Sequence, residues 1–386
     1  MKQKIGILGI VLCLLASVLS PTVAHAQGEI TAQSSSAQVN FPMSLTFNIT
    51  AKAEVNIIDI RLRYTIKRES FANSFSESFV VFKPATAVTA KWVMDMQKTG
   101  GLPTGTTVNY WWVINDASGQ KLETQPQSVD FSDNRYNFQS ISQGNVTLYW
   151  YQGDNNFANQ LMGAAQSALT RLESSAGANL TRPIRIYIYA SSQDLQGSMI
   201  FSSEWTGGVA FTEYAIILIG IAPNNLTWGM RAMSHELTHL AIHQVTYNPY
   251  GGLPTWLDEG LAVYNEGPAD PNFASLLDKA IKSNSLITMR SLSSPFSAYG
   301  NEATLSYSQS YSFVNYLITT NGQSKMLQLL KVFSQGTAAD DAFQQVYGVN
   351  MDQLYAQWKQ KVLPPAASLP DTDVFAAPAG IMVGVP

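Results

Sequence analysis

The 386-residue sequence contains one cysteine, Cys13, and it lies within an apolar amino-terminal run. A chain that has lost this run has no disulfide and no thiolate metal site. Basic residues are also few: 23 Lys and Arg stand against 27 Asp and Glu, a formal net charge of -4, and no basic run occurs. That balance argues against a nucleic-acid partner. The longest apolar run, Ile5 to Leu19, is short of the ~20 residues that span a bilayer, which leaves a membrane anchor as the competing reading of that segment. Histidine is scarce as well, with four in all: His25, and three between positions 235 and 243.

The first 26 residues have the layout of an export signal. Lys2 and Lys4 open it, an apolar run from Ile5 to Leu19 follows, and Ala24-His25-Ala26 supplies a small-x-small cleavage site. The mature chain is expected to start near Gln27, at a formal charge of -6 once the two lysines are gone. The expected location is extracellular, secreted or at a bacterial cell surface, with no transmembrane segment in the mature chain.

Between residues 27 and 133 short stretches alternate apolar and polar residues, among them SLTFNIT, IIDIRLRYTI, SFVVF and VNYWWVI. Such alternation marks half-buried strands, and Asn115 to Gln120 supplies a hairpin turn. The length suits an antiparallel all-β sandwich of the immunoglobulin or fibronectin III kind. From 134 to 362 the character changes. NVTLYWYQ and RPIRIYIYA read as strands with a helical stretch from Asn155 to Ser175 between them, and GGVAFTEYAIILIG reads as extended. Beyond Leu226 the pattern is helical, so this part is expected to be α+β with a helical carboxy-terminal half. Residues 363–386, rich in proline and alanine, read as a tail.

The three clustered histidines sit in SHELTHLAIHQ, residues 234–244. On a helix, residues four apart lie ~40° apart in azimuth and ~6 Å along the axis, so His235 and His239 can reach one cation. Zinc favours such nitrogen ligands, and a neighbouring Glu236 can take a proton from a metal-activated water. The bland alternative is a solvated helix face that happens to carry imidazoles. His243 is another turn away, ~12 Å along the axis from His235, and reads as a bystander. A third ligand is better sought in PTWLDEGLA, residues 254–262, where Glu259 would sit in the first turn of a second helix folded back on the first. Asp258 points about 100° away from Glu259. Two roles stay open for Asp258: a capping box with Thr255, or a bond to a ligand histidine.

HELTH followed by a loop and WLDEGLA resembles the gluzincin zinc peptidases, in particular the bacterial peptidase MA-like group related to M1 aminopeptidases. The M1 pattern has WLNEG where this chain has WLDEG, with Asp258 in place of asparagine. The resemblance implies a thermolysin-like zincin fold for residues 134–362. It implies one zinc ion held by His235, His239 and Glu259, with Glu236 as general base. YSQSYSFVNYL, residues 307–317, is similar to the helix that carries a catalytic tyrosine in M1 enzymes. Tyr307 is the implied oxyanion donor and Tyr311 the reserve, while both as packing residues is the plain alternative. Trp205 to Phe211 falls where gluzincins have a substrate-binding edge strand, so Gly207, Gly208, Val209 and Ala210 are implied to bind substrate backbone. A simple turn before a core strand is the competing reading. The GxMEN signature of aminopeptidases is absent.

The function these features imply is a secreted zinc-dependent metallopeptidase acting on peptides or polypeptides. The alternative is a catalytically inactive zinc-binding adhesion or binding protein whose β-sandwich does the work, for instance on a cell-surface partner.

Overall fold

The computed structural model describes residues 29–70, 72, 74–202, 207–297 and 300–363, the last stretch by backbone alone at 300–302. The expected export signal, Trp205, and all of the expected tail beyond Leu363 lie outside the described residues.

The first part is all β, with strands β1 (Thr31–Asn40), β2 (Ser44–Ile66), β3 (Ser76–Phe79), β4 (Ala85–Asp95), β5 (Thr106–Asp116), β6 (Lys121–Glu123) and β7 (Gln127–Phe131), and a one-turn helix α1 (Met96–Thr99) after β4. Every pairing is antiparallel. The stretches SLTFNIT and IIDIRLRYTI, read from the sequence as two strands, are halves of the single 23-residue strand β2. Its first half pairs with β1 and β4 and its second with β3 and β5, and the register slips between Lys52 and Ile57. AKAEVN between the halves has one turn-type residue, Asn56, and no glycine or proline, and the chain bends there without breaking. The halves share one core, in which the Phe47 and Tyr110 ring centroids are 4.8 Å apart. The expected turn joins β5 to β6, and the Asp116 carboxylate accepts from Ser118 N and Gln120 N within it.

A second sheet follows, in the order β11 (Gly208–Phe211), β12 (Ile216–Gly220), β10 (Ile184–Tyr189), β9 (Val146–Trp150), β8 (Gln139–Gln143). β9, β10 and β12 are parallel, and both outer strands run antiparallel to their neighbours. Parallel neighbours need a long crossover, and α2 (Asn155–Ala176) supplies it between β9 and β10; α3 (Ser192–Gln196) follows β10. GGVAFTEYAIILIG is extended as expected but not continuous. A 3-10 turn at Thr212–Tyr214, closed by Ala215 in the left-handed region (φ 54), makes it a hairpin. That hairpin leaves β11 at the edge of the sheet.

The two faces of this sheet follow the strand alternation. Leu148, Ile186, Ile188, Ile217 and Ile219 pack on the helices, while Tyr187, Tyr189, Ile216 and Leu218 pack among Tyr136, Phe138 and Tyr151. The remaining helices are α4 (Leu226–Thr246), α5 (Thr255–Asn265), α6 (Pro271–Lys282), α7 (Met289–Leu292), α8 (Gly300–Asn321), α9 (Gln323–Phe333), α10 (Ala339–Tyr347) and α11 (Met351–Val362). No described helix is long and apolar enough to cross a membrane.

Candidate metal centre

The centre is built on α4 and α5. One side of α4 packs Met233, Leu237, Leu240 and Ala241 into the core, which leaves His235, Glu236 and His239 on the partly exposed side. The turn that returns the chain onto α4 is organised by Asn248. Its Oδ1 accepts from Tyr250 N and Gly251 N, and its amide donates to Thr246 O, Gly251 O and Phe333 O. Those bonds satisfy backbone groups in a tight loop that has little apolar content to fix it otherwise.

α5 then presents Glu259 to the histidines. Glu259 Oε2 lies 3.3 Å from His235 Nε2 and 3.5 Å from His239 Nε2, and the two Nε2 atoms are 3.2 Å apart. One ligand atom from each of these three residues falls within 4.8 Å of the others. The other ring nitrogens face carboxylates: His235 Nδ1 is 2.9 Å from Glu266 Oε1, and His239 Nδ1 is 3.1 Å from Asp258 Oδ1. Glu266 is hydrogen-bonded to His235 Nδ1 and Asp258 faces His239 Nδ1 at ion-pair distance; a carboxylate so placed favours the proton on Nδ1, so in the neutral rings both Nε2 atoms present lone pairs. Two lone pairs and a carboxylate oxygen then converge on one point, and Glu259 Oε2 is buried with no hydrogen-bond donor. Such an arrangement is repulsive unless a cation or protons occupy it. In the metal-free protein protons fill that role. Burial opposes charging His235, but Glu259 and Glu266 outweigh it and push its pKa up to about 9. Burial likewise opposes ionising Glu259, yet His235 and His239 hold it down to about 2. The nitrogen and oxygen donors fit a zinc ion.

Glu236 lies beside this cluster without joining it. Burial, only partly offset by His235 and His239, raises its pKa above the usual carboxylate value. It sits directly beneath the edge strand: a Cβ on Gly208 would come within 2.7 Å of Glu236 Oε1. Gly207 is also close to an α4 side chain, where a Cβ would meet the Trp228 ring at 3.0 Å. A cleft of ≈ 500 Å³ runs here, lined by Gly207, Gly208, Val209, Trp228, Glu236 and Tyr307 among others. Ala210 is on β11 and packs against the main core instead.

Tyr307 reaches the cleft from α8. Its ring centroid is 6.3 Å from that of His235, and Phe296 packs edge-on against it at 5.2 Å. Burial raises its pKa, so the hydroxyl stays protonated and can donate. Tyr311 instead packs against Tyr264, 6.3 Å between centroids. The approach of α8 depends on Gly260, the residue after Glu259. A Cβ there would lie 2.7 Å from Ser310 O and 2.6 Å from Val314 Cγ2.

The capping-box reading of Asp258 is overturned. Pro254 takes the N-cap position of α5 without a side-chain bond, and Thr255 Oγ1 donates to Ser293 O. The Asp258 carboxylate is instead bridged between His239 and His243, and His243 Nε2 lies 3.0 Å from its Oδ2. His243 is outside the donor set, as expected, but is linked to the cluster through Asp258. Glu266 and Arg231 were not anticipated. Arg231, one turn before His235, is 2.8 Å from Glu266 Oε2 and so fixes the carboxylate that faces His235. A signal for Glu266 was present: it follows Glu259 by seven residues, which on a helix returns to the same face.

A family model described as the Peptidase MA superfamily matches residues 164–364, just over half of the chain. No curated protein matches the sequence. Solved structures similar to this one include an M1 zinc metallopeptidase from Deinococcus radiodurans, at 12% identity and TM-score 0.36, covering 87% of this chain and 95% of that one. Legionella pneumophila aminopeptidase A in complex with aspartic acid is similar at 9% identity and TM-score 0.36, covering 85% and 50%. A carbohydrate-binding module family 56 beta-1,3-glucan binding domain is similar at 12% identity and TM-score 0.17, covering 26% of this chain and 98% of its own. Scores of this size carry no inference about chemistry.

Proposed function

This chain belongs to the Peptidase MA superfamily, and from that premise we propose that it is a secreted zinc-dependent peptidase with one metal ion held by His235, His239 and Glu259. The observation that carries the reading is the convergence of three donor atoms, one of them the buried and unpartnered Glu259 Oε2, beside a carboxylate outside the donor set. A bound zinc would supply Lewis-acid polarisation of a carbonyl and acidification of a water molecule. Glu236 takes the proton from the attacking water and delivers it to the leaving amine, a task suited to a carboxylate whose pKa burial has raised. Tyr307 donates its hydroxyl proton in a hydrogen bond to the developing oxyanion. Glu266 and Asp258 keep the ligand imidazoles in the Nδ1–H tautomer. The free edge of β11 binds an extended substrate backbone through Gly207, Gly208 and Val209, with Ala210 continuing the strand.

The export-signal pattern supports an extracellular site of action. For residues 27–133 we propose an immunoglobulin- or fibronectin III-like sandwich that serves as an attachment or binding module, with the catalytic part running from 134 to 362. The inactive-protein alternative is disfavoured because three candidate ligands, a carboxylate base and a phenol donor stand together at the cleft or beside it.

The test is Glu236→Gln, assayed on an unfolded protein and on peptides, with zinc content measured alongside. Retained zinc with hydrolysis reduced roughly 10²–10⁴-fold is the expected result for loss of a general base. Hydrolysis equal to wild type would remove Glu236 from the mechanism.

A further inference from the structure

We propose that His243 is a positioning residue for the metal centre, acting through Asp258 on His239. The proposal rests on the zinc-peptidase reading. His235, His239 and His243 are spaced by single helical turns on α4, but only the first two belong to the converging donor set. The third binds one step back. His243 Nε2 lies 3.0 Å from Asp258 Oδ2, and Asp258 Oδ1 lies 3.1 Å from His239 Nδ1. The Asp258 carboxylate thus has one oxygen assigned to each imidazole.

That assignment matters because of what His239 must do. To donate through Nε2 it must carry its proton on Nδ1, and the ring must be aimed so that Nε2 meets His235 Nε2 and Glu259 Oε2. Asp258 faces that nitrogen through Oδ1 at ion-pair distance without an aligned hydrogen bond, so on this side alone the carboxylate is free to pivot about its own χ2. The donor on His243 removes this freedom. The bridge also lowers the desolvation cost of a carboxylate whose side chain is only 20% exposed.

A purely structural role is a poor fit for His243. Its side chain is 37% exposed and opens on a cavity of ≈ 360 Å³ shared with Glu69 and Glu213, away from the substrate cleft. Substituting it therefore opens no hole in the core. What a substitution changes is the hydrogen bond to Asp258.

The experiment compares His243→Leu, which keeps bulk without a donor, with His243→Gln, whose amide nitrogen can take the place of Nε2. Metal-free full-length proteins are titrated with zinc against a chromophoric chelator, and thermal midpoints are recorded for the same samples. Partners that touch a ligand directly are worth roughly 10–100-fold in metal affinity. For a group one bond further out the expected result is the lower end of that range: H243L binds zinc about 10-fold more weakly, while H243Q binds within about 3-fold of wild type. Equal affinity in H243L and wild type, or equal weakening in both variants, overturns the proposal. If H243L does not fold, His243→Asn, whose amide is one methylene too short to reach, is compared with H243Q, and equal affinity in that pair overturns it. A wild-type chain that binds no zinc sinks the zinc-peptidase reading instead, so the two failures are distinguishable.

Discussion

Gly208→Ala separates the chemistry of this site from its stability. The added methyl would stand 2.7 Å from Glu236 Oε1 and 3.1 Å from its Cδ and Cγ, whereas ordinary contacts begin at 3.4 Å. Relief therefore requires a displacement of about 0.7 Å at the carboxylate oxygen. Gly208 has no left-handed φ, so alanine meets no backbone strain, and the atoms that must yield are the far end of one flexible side chain. A shift of this kind costs the fold little, because the atoms in contact are those of one side chain and not backbone. For the reaction it is large, because a misplacement of ~1 Å in a reacting group can cost ~10²-fold. The expected outcome is a fall in kcat of roughly 10- to 100-fold, with zinc content unchanged and the thermal midpoint within a few degrees of wild type. Steady-state hydrolysis of a quenched-fluorescence peptide, calorimetry and elemental analysis on one preparation supply the three readings. An unaltered kcat would refute the placement of Glu236 beneath the edge strand as the reacting base. Loss of zinc together with kcat would instead show that β11 supports the ligand set.

Two further outcomes follow from the same geometry. Gly260→Ala places a methyl 2.7 Å from Ser310 O, a backbone atom that cannot rotate away, so α5 and α8 must separate; a destabilisation of roughly 1–3 kcal/mol is expected by chemical denaturation, and none would contradict the packing. The metal-free protein should also lose stability on the alkaline side. The His235 pKa is raised from 6.5 to about 9, so its contribution is complete below pH 6.5 and is lost as the pH rises through about 9. Glu259, depressed from 4.5 to about 2, contributes fully above pH 4.5 and loses its contribution as the pH falls through about 2. Thermal midpoints in chelator should therefore peak between these limits and decline toward pH 9; a midpoint that is flat across that alkaline range would contradict the proton-filled cluster.

Much of this architecture was legible because the informative signals are local. The i, i+4 spacing of His235 and His239 dictates a shared helix face, and the change from two-residue alternation to helical periodicity near Leu226 separates sheet from helices. Glu259 could be anticipated because a turn rich in asparagine, proline and glycine precedes it. The length of β2 was not legible, since a lone Asn56 does not tell a bend inside a strand from a turn that ends it. The role of Asp258 depended on which of two partners, its own helix end or an imidazole on α4, came nearer in space, and sequence spacing does not decide between them. For His243 the distance along the α4 axis correctly excludes direct ligation, but spacing does not reveal that a carboxylate from α5 spans the gap. The pairing of Arg231 with Glu266 belongs to the same class of contacts between elements, although the seven-residue spacing from Glu259 already placed Glu266 on the ligand face.

The measurement that bears most directly on the central claim is the zinc content and X-ray absorption spectrum of the purified wild-type chain beside Glu259→Ala. The account predicts one zinc per chain, a nitrogen and oxygen coordination shell with the multiple-scattering signature of two imidazoles and no sulfur, and weakened binding in the variant. A wild-type protein that takes up no zinc, or one whose bound metal shows a single imidazole and is unaffected by loss of Glu259, would contradict it.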